Sequence, residues 1–267
     1  MKYRDFEIAQ RVWKKASSVW NEIRYERCFS LESIRATERR KFAELGFQYD
    51  DSLIRLNSFL RKLGRPDFSS QEDSIHLLLF SCISLSANIT NILEIGTYLG
   101  ESTVLLSQIF PNSSITTVDL PDDDPILAAT YGRNNATAMR EYREQQRRNV
   151  SRPGVNFLQT NSFFVPAVLE EKFDLIWIDG GHLYPEIAWD ICNAYHRCIR
   201  TGWILCDDVI PHKRGHRNEL SSPDSFRVLE YVSRRTADKV TYFLKRESPK
   251  WSANPRKRKY VAVFQKT

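Results

Sequence analysis

The chain has 267 residues, 42% apolar and 27% charged, with ten glycines and eleven prolines. That composition is globular and excludes a disordered or collagen-like chain. Lys and Arg exceed Asp and Glu by six, which raises the question of an anionic or nucleic-acid partner. Residues 245–259 alone hold seven Lys and Arg against Glu247 and account for the whole excess. The remainder is neutral, a distribution that argues against a nucleic-acid surface spread over the body.

Along the chain, residues 1–68 read as a helical extension. Ala9, Val12, Trp13, Ala16, Trp20 and Ile23 trace an i, i+3, i+4 stripe. Two further helices are predicted over 31–45 and 51–63, the second stopped by Gly64 with Pro66 just beyond. This extension either packs on the following domain or serves as a lid or a homo-oligomer seam. A second unit begins at residue 69. Ser69 and Glu72 have capping-box spacing and predict a helix over 70–87.

From there strands and helices alternate. Strands are predicted at 91–95, 115–120, 155–159, 173–179, 203–207, 240–244 and 260–264. Helices are predicted at 101–110, 136–149, 184–200 and 224–234. Such alternation means a doubly wound, mostly parallel α/β sheet with a Rossmann-like layout. The last two strands have only a loop between them, so they form an antiparallel hairpin at the sheet edge. The basic 245–259 turn belongs to that hairpin and has no evident tie to the functional residues below. Trp177 and Trp203 lie in predicted strands and are core candidates.

Five scattered cysteines lack the C-x-x-C spacing of metal or redox sites and are expected as reduced thiols. The first residues carry no apolar signal-peptide core. The longest nearly apolar run, 77–85, is about half the ~20 residues that span a bilayer. A cytoplasmic protein without a membrane partner is the expectation.

Two constellations carry chemistry. The first is Glu94-Ile95-Gly96-Thr97-Tyr98-Leu99-Gly100-Glu101-Ser102, a strand end, a glycine turn and a helix start. Gly96 permits a sharp turn and close approach of a ligand to the backbone. Asp119, ending the next strand 25 residues after Glu94, suits a ribose diol because a carboxylate accepts from both hydroxyls. The turn departs from the G-x-G-x-x-G spacing of dinucleotide folds, which points to a nucleoside without a diphosphate. An NAD-binding oxidoreductase and a non-catalytic nucleoside-binding protein stay open as alternatives.

The second constellation is acidic. Asp179 ends one strand and Asp207-Asp208 end the next. Neighbouring parallel strands end at the same edge, which brings three carboxylates together. Their mutual repulsion is relieved by a hard divalent cation such as Mg²⁺. Each acid taken singly is equally well read as a helix or loop cap.

The 94–102 segment resembles motif I of class I S-adenosylmethionine-dependent methyltransferases. It is most similar to the branch of catechol-type, caffeoyl-CoA-type and macrolide- or aminocoumarin-sugar O-methyltransferases. The resemblance covers roughly residues 70–267. It implies that Glu94 and Gly96 line the methionine part of S-adenosylmethionine, with Thr97 and Ser102 nearby and Gly100 also a cofactor-binding residue. It further implies that Asp119 holds the ribose and that Asn161 and Ser162 contact the adenine. Where the family often has Gly-Asp, this chain has Thr160-Asn161. Asp179 borders the cofactor and, with Asp207 and Asp208, matches the metal triad of the branch. Catechol-type members place a lysine base three residues after the first metal acid, which is His182 here. Sugar-modifying members place an aspartate two residues after it, which is Gly181 here. Asp179 and His182 are therefore the expected catalytic pair. In this reading the acceptor hydroxyl binds the metal, His182 takes its proton, and the oxygen attacks the sulfonium methyl in line. The expected acceptor is a small hydroxylated molecule. His212 and His216 lie on the loop past the acids, whose Lys213, Arg214 and Arg217 suggest an anionic or polyhydroxyl one or simply a solvated loop. A nucleic-acid methyltransferase is the rival reading, prompted by the basic turn.

Overall fold

The structure, a computed structural model, describes residue 25 and residues 28–130, 135–211 and 223–267. The aromatic stripe over 9–23 and the His212–Arg217 segment lie outside the described residues. No described helix is long and apolar enough to cross a membrane. The described cysteines, all five, are free thiols.

Seven strands form one sheet: β1 (Asn91–Ile95), β2 (Ser114–Asp119), β3 (Val155–Gln159), β4 (Phe173–Ile178), β5 (Cys198–Val209), β6 (Thr241–Leu244) and β7 (Tyr260–Gln265). Their order is β3-β2-β1-β4-β5-β7-β6. The first five are mutually parallel. The last, β7, runs antiparallel to both β5 and β6, as the short connection predicted, and it is inserted between them. This is the expected Rossmann-like sheet.

The strands are apolar throughout because both faces of the sheet are covered. Ile92, Leu175, Trp177, Trp203, Leu205 and Val263 point into one core. Their alternates Leu93, Ile176, Ile178, Ile204, Cys206 and Phe264 point into the other. On the first face lie α1 (Leu31–Glu44), α2 (Tyr49–Lys62), α3 (His76–Ser86) and α4 (Glu101–Ile109). The short α5 (Pro125–Ala129), α6 (Ala136–Val150) and the single turn α7 (Val165–Val168) follow along the chain. The second face is covered by α8 (Glu186–Arg197) and α9 (Pro223–Thr236), and α10 (Pro249–Ser252) sits in the β6–β7 connection.

The α1–α2 pair shares the core of the sheet. Phe42 packs its ring 4.6 Å from Phe243 of β6, and Phe47 lies 5.1 Å from Trp203 of β5. Each such side chain, once buried, contributes about 2–3 kcal/mol.

The helix expected from residue 70 starts only at His76, and the Ser69/Glu72 capping box does not form. Asp73 instead accepts from the Ser69 amide at 2.9 Å. Ser70 is pinned across the fold, its hydroxyl donating to Glu247 at 2.6 Å and its carbonyl accepting the Glu247 amide at 2.7 Å. Ile75 likewise donates to the Lys245 carbonyl at 3.0 Å. These long-range bonds hold residues 70–75 in a turn, overriding a local helix signal.

Two consequences of the topology position the site. β7 reverses direction after β6, so the end of β6 and the start of β7 both lie at the carboxyl edge of β5, with Tyr260 opposite Val209 and Leu244. The basic turn therefore rises at the functional edge. Between Cys206 and Val209, β5 also carries one residue more than β7 opposite it. In this bulge Asp208 adopts φ +52°, a left-handed conformation that Asp tolerates better than most residues.

Candidate functional site

The strand order reverses at β1, which leaves a crevice at the carboxyl ends of β1 and β4 where ligands bind in open α/β sheets. Gly96 turns the chain there with φ +96°. A Cβ on it would lie 2.3 Å from the Asp179 carbonyl oxygen and 2.7 Å from the Gly180 amide nitrogen. The missing side chain thus admits the backbone leaving β4, whereas the sequence reading assigned that space to a ligand. Gly100, at φ +76°, opens α4, and no side chain caps that helix. The half-buried Ser102 sits in its first turn, and an uncapped helix start is suited to an anionic group.

Asp119, half-buried at the end of β2, anchors this loop. Its Oδ2 accepts from the Tyr98 amide at 2.8 Å, and its Oδ1 from its neighbour Leu120 at 2.8 Å. The Tyr142 hydroxyl and Gln146 amide of α6 close over it at 3.4 and 3.2 Å. Sequence reasoning placed α6 correctly but not these two side chains, which face inward from an otherwise polar helix. A ribose diol at Asp119 would exchange with the long Tyr142 contact.

The predicted cofactor residues fall into two groups. Glu94 and Thr97 are sealed in the protein. Glu94 has no exposed surface. Its Oε2 accepts from Thr103 and, at 2.6 Å, from Thr117, which is itself 2.6 Å from the Thr97 hydroxyl. Its Oε1 has no hydrogen-bond partner, and burial pushes its pKa up to about 7. Gly96, Gly100, Ser102 and Asp119 lie at or past the carboxyl ends of β1 and β2, and Asn161 and Ser162 past that of β3, the edge at which such a crevice opens. Asn161 caps the turn Ser162–Phe164 through the Phe163 amide at 3.0 Å. Ser162 hydrogen-bonds Asp190 of α8, a residue the sequence reading missed. Burial raises the Asp190 pKa to about 7.

The three acids do converge at the carboxyl edge of β4 and β5, Asp179 just past β4 and Asp207 and Asp208 in the last residues of β5, but they have company. Lys245 Nζ bridges Asp207 Oδ2 at 2.5 Å and Asp208 Oδ1 at 2.6 Å. Lys259 Nζ binds Asp208 Oδ2 at 2.7 Å. Both lysines belong to the basic turn, so the expectation that the turn is unconnected with the acids is wrong. The signal that finds them is topological: one follows β6 and the other precedes β7, the two ends that share the edge of β5. Burial opposes ionisation of Asp207, yet Lys245 outweighs it and holds this carboxyl well below the usual range. The same acids keep the buried Lys245 protonated well above its ordinary pKa. Asp179 moves the other way, its pKa raised by burial and then by the charges of Asp207 and Asp208. Among the described residues the buried Asp207 Oδ1 has no hydrogen-bond partner. His182 is 8% exposed, with Nε2 3.7 Å from Asp179 Oδ1 and 3.9 Å from Asp208 Oδ2. Burial lowers its pKa, which keeps the imidazole neutral.

This donor set does not fit the expected divalent metal. The oxygens that would ligate it already hold two ammonium groups at contact distance. Among the described residues, no three His, Cys, Asp or Glu side chains are arranged to hold a metal ion.

Beside the His182 loop, a cleft of about 510 Å³ opens between α8 and α9, lined by Tyr184, Cys192, Asp224, Arg227, Val228 and Tyr231 among others. Tyr184 is two residues past His182, and its amide donates to Asp224 at 3.3 Å.

The sheet order and the antiparallel β7 define an open α/β domain of Rossmann-like layout. Residues 93–209 match the family model of a methyltransferase domain. The matched stretch carries the Gly96 loop, Asp119 and the three acids, so this part of the chain is similar to a methyltransferase domain. Among solved structures, a caffeoyl-CoA O-methyltransferase candidate from Staphylococcus aureus is 16% identical, with 80% of this chain and 92% of that one covered at a TM-score of 0.50. The O-methyltransferase TomG of Streptomyces achromogenes, involved in tomaymycin synthesis and solved with S-adenosylmethionine, is 14% identical over 90% of this chain and 100% of that one, at a TM-score of 0.49. The methyltransferase PaMTH1 of Podospora anserina is 17% identical over 81% and 88%, at a TM-score of 0.44. No curated protein matches the chain.

Proposed function

We propose that this enzyme methylates a hydroxyl group of a small molecule such as a sugar, a catechol or a natural-product intermediate. One observation carries the reading: a neutral, nearly buried His182 stands at the carboxyl edge of β4, beside the cofactor crevice and two carboxyl groups that can steady its charged form. Bound S-adenosylmethionine supplies a methyl carbon whose C–S bond breaks, its electron pair staying on sulfur, as the acceptor oxygen forms the new C–O bond.

The chain does the rest by placement. Asp119 takes the ribose hydroxyls, Asn161 and Ser162 border the adenine, and Ser102 with the first amides of α4 receives the amino-acid end. Glu94, Thr97, Thr103 and Thr117 keep the loop beneath rigid without touching the cofactor. His182 Nε2 accepts the acceptor's hydroxyl proton, and Asp208 offsets the resulting imidazolium. The acceptor reaches His182 from the side of the Tyr184–Tyr231 cleft. The divalent metal expected from the resemblance has no part in this mechanism, since lysines neutralise its acids. The nucleic-acid reading is weakened by the same contacts, because two of the seven cations in the basic turn point inward.

S-adenosylhomocysteine should stabilise the protein in a thermal-shift assay, and Asp119→Ala should abolish that stabilisation. In turnover assays with hydroxylated acceptors, His182→Ala should lower kcat while S-adenosylhomocysteine still binds. Stabilisation by a nicotinamide dinucleotide and none by S-adenosylhomocysteine would overturn the proposal.

A further inference from the structure

The acidic cluster is built around an ammonium group. Lys245 is anchored by its backbone on both sides. Its amide donates to the Lys259 carbonyl at 2.9 Å, and its carbonyl accepts from Ile75 at 3.0 Å. From that anchor the side chain, 12% exposed, reaches two carboxylates at once. The β5 bulge, with Asp208 in its left-handed conformation, turns the second carboxylate toward both lysines. Asp207 is thus paired with Lys245, and Asp208 with both Lys245 and Lys259, two carboxylates facing two ammoniums. Three bare carboxylates invite a divalent ion; a balanced cluster does not. A metal entering here must first expel a buried ammonium and leave it without its partners.

We propose that Lys245 is the resident cation of this site, holding the place of the divalent metal, so that methyl transfer proceeds without one. Lys245 is then a positioning residue. It fixes Asp207 and Asp208, and through Asp208 and Asp179 it sets the surroundings of His182. Lys259 completes the charge balance from the other end of the same turn. The reaction in this statement rests on the O-methyltransferase reading; the cation-binding behaviour does not.

The test is Mn²⁺ binding followed by electron paramagnetic resonance on the purified full chain, with S-adenosylhomocysteine stabilisation measured on the same samples. The wild-type protein should leave millimolar Mn²⁺ free, and a chelator should change neither its melting temperature nor its turnover. Lys245→Ala, and the longer uncharged Lys245→Met in case the cavity in the first prevents folding, should bind one Mn²⁺ per chain. Adding Asp207→Asn to either should abolish that binding. Stoichiometric Mn²⁺ binding by the wild type overturns the proposal outright. So does a folded Lys245 variant that binds no Mn²⁺, because the ammonium would then not be holding a metal's place. Absence of stabilisation by S-adenosylhomocysteine counts against the methyltransferase reading alone.

Discussion

Glu94 offers the sharpest test of how the crevice is built. Its carboxyl group is fully buried, with two threonine hydroxyls on Oε2 and nothing on Oε1. Burial pushes its pKa up from 4.5 to about 7, and the threonine hydrogen bonds only partly counter this. The folded-state pKa lies above the unfolded one, so the neutral acid's contribution is fully present below pH 4.5. It is lost as the pH rises through about 7. At about 1.4 kcal/mol per pKa unit, the loss is about 3 kcal/mol, or about 6 °C in melting temperature for a chain of this size. Glu94→Gln keeps the shape, offers its carbonyl to Thr103 and Thr117, and places NH₂ where the acid carries OH; it does not titrate. Differential scanning fluorimetry of both proteins from about pH 5 to about pH 8 should show the wild type falling relative to the variant by that amount. Subtraction removes the other acids with raised pKa, Asp179 and Asp190, from the comparison. Parallel curves would falsify the assignment of Glu94 as a buried, protonated acid.

Three further outcomes are expected. Gly96→Ala would drive a Cβ to 2.3 Å from the Asp179 carbonyl at φ +96°, so it should cost more than about 4 kcal/mol. A wild-type melting temperature in that variant would show that β1 and β4 can separate freely. His76 is buried against Trp177, ring centroids 4.7 Å apart, and burial pushes its pKa down to about 4. Its folded-state pKa lies below the unfolded 6.5, so stability should fall by about 3 kcal/mol as the pH drops from 6.5 through 4. His76→Phe should flatten that acid limb in pH-dependent melts, and an unchanged limb would assign it to other groups. Asp174 Oδ2 accepts from the Thr90 amide and hydroxyl and the Asn91 amide at 2.7–2.8 Å. Asp174→Ala should destabilise the start of β1 by about 1–2 kcal/mol, measured by urea denaturation.

The seven strands were legible because each is an apolar run of strand length bounded by turn residues. Both faces of this sheet are buried, so the run survives without alternation. The antiparallel β7 was legible from the absence of a crossover helix between it and β6. The start of α3 was not, because the Ser69/Glu72 signal is local and the bonds from Ser70 and Ile75 to residues 245–247 are not. Gly96 was legible as a turn, but the reason only glycine fits is the backbone of Asp179, more than eighty residues away in sequence. The site divides in the same way. Asp119, Asp179, Asp207, Asp208 and His182 announce themselves at strand ends. Tyr142, Gln146 and Asp190 are polar residues on helices whose inward orientation appears only once the helices are packed.

The positive charge that distinguishes the composition shows the division most clearly. The sequence by itself determined how much charge there is, that it lies between two strands, and that three aspartates end neighbouring strands. Only the tertiary structure decided that these features meet. Residue periodicity reports which side chains are buried, because burial is a local pattern of apolar residues. Which strand ends share an edge depends on the order and direction of pairing. Inserting β7 between β5 and β6 brings Lys245 and Lys259 onto Asp207 and Asp208, and a solvent-facing basic turn becomes in part the counter-charge of the site.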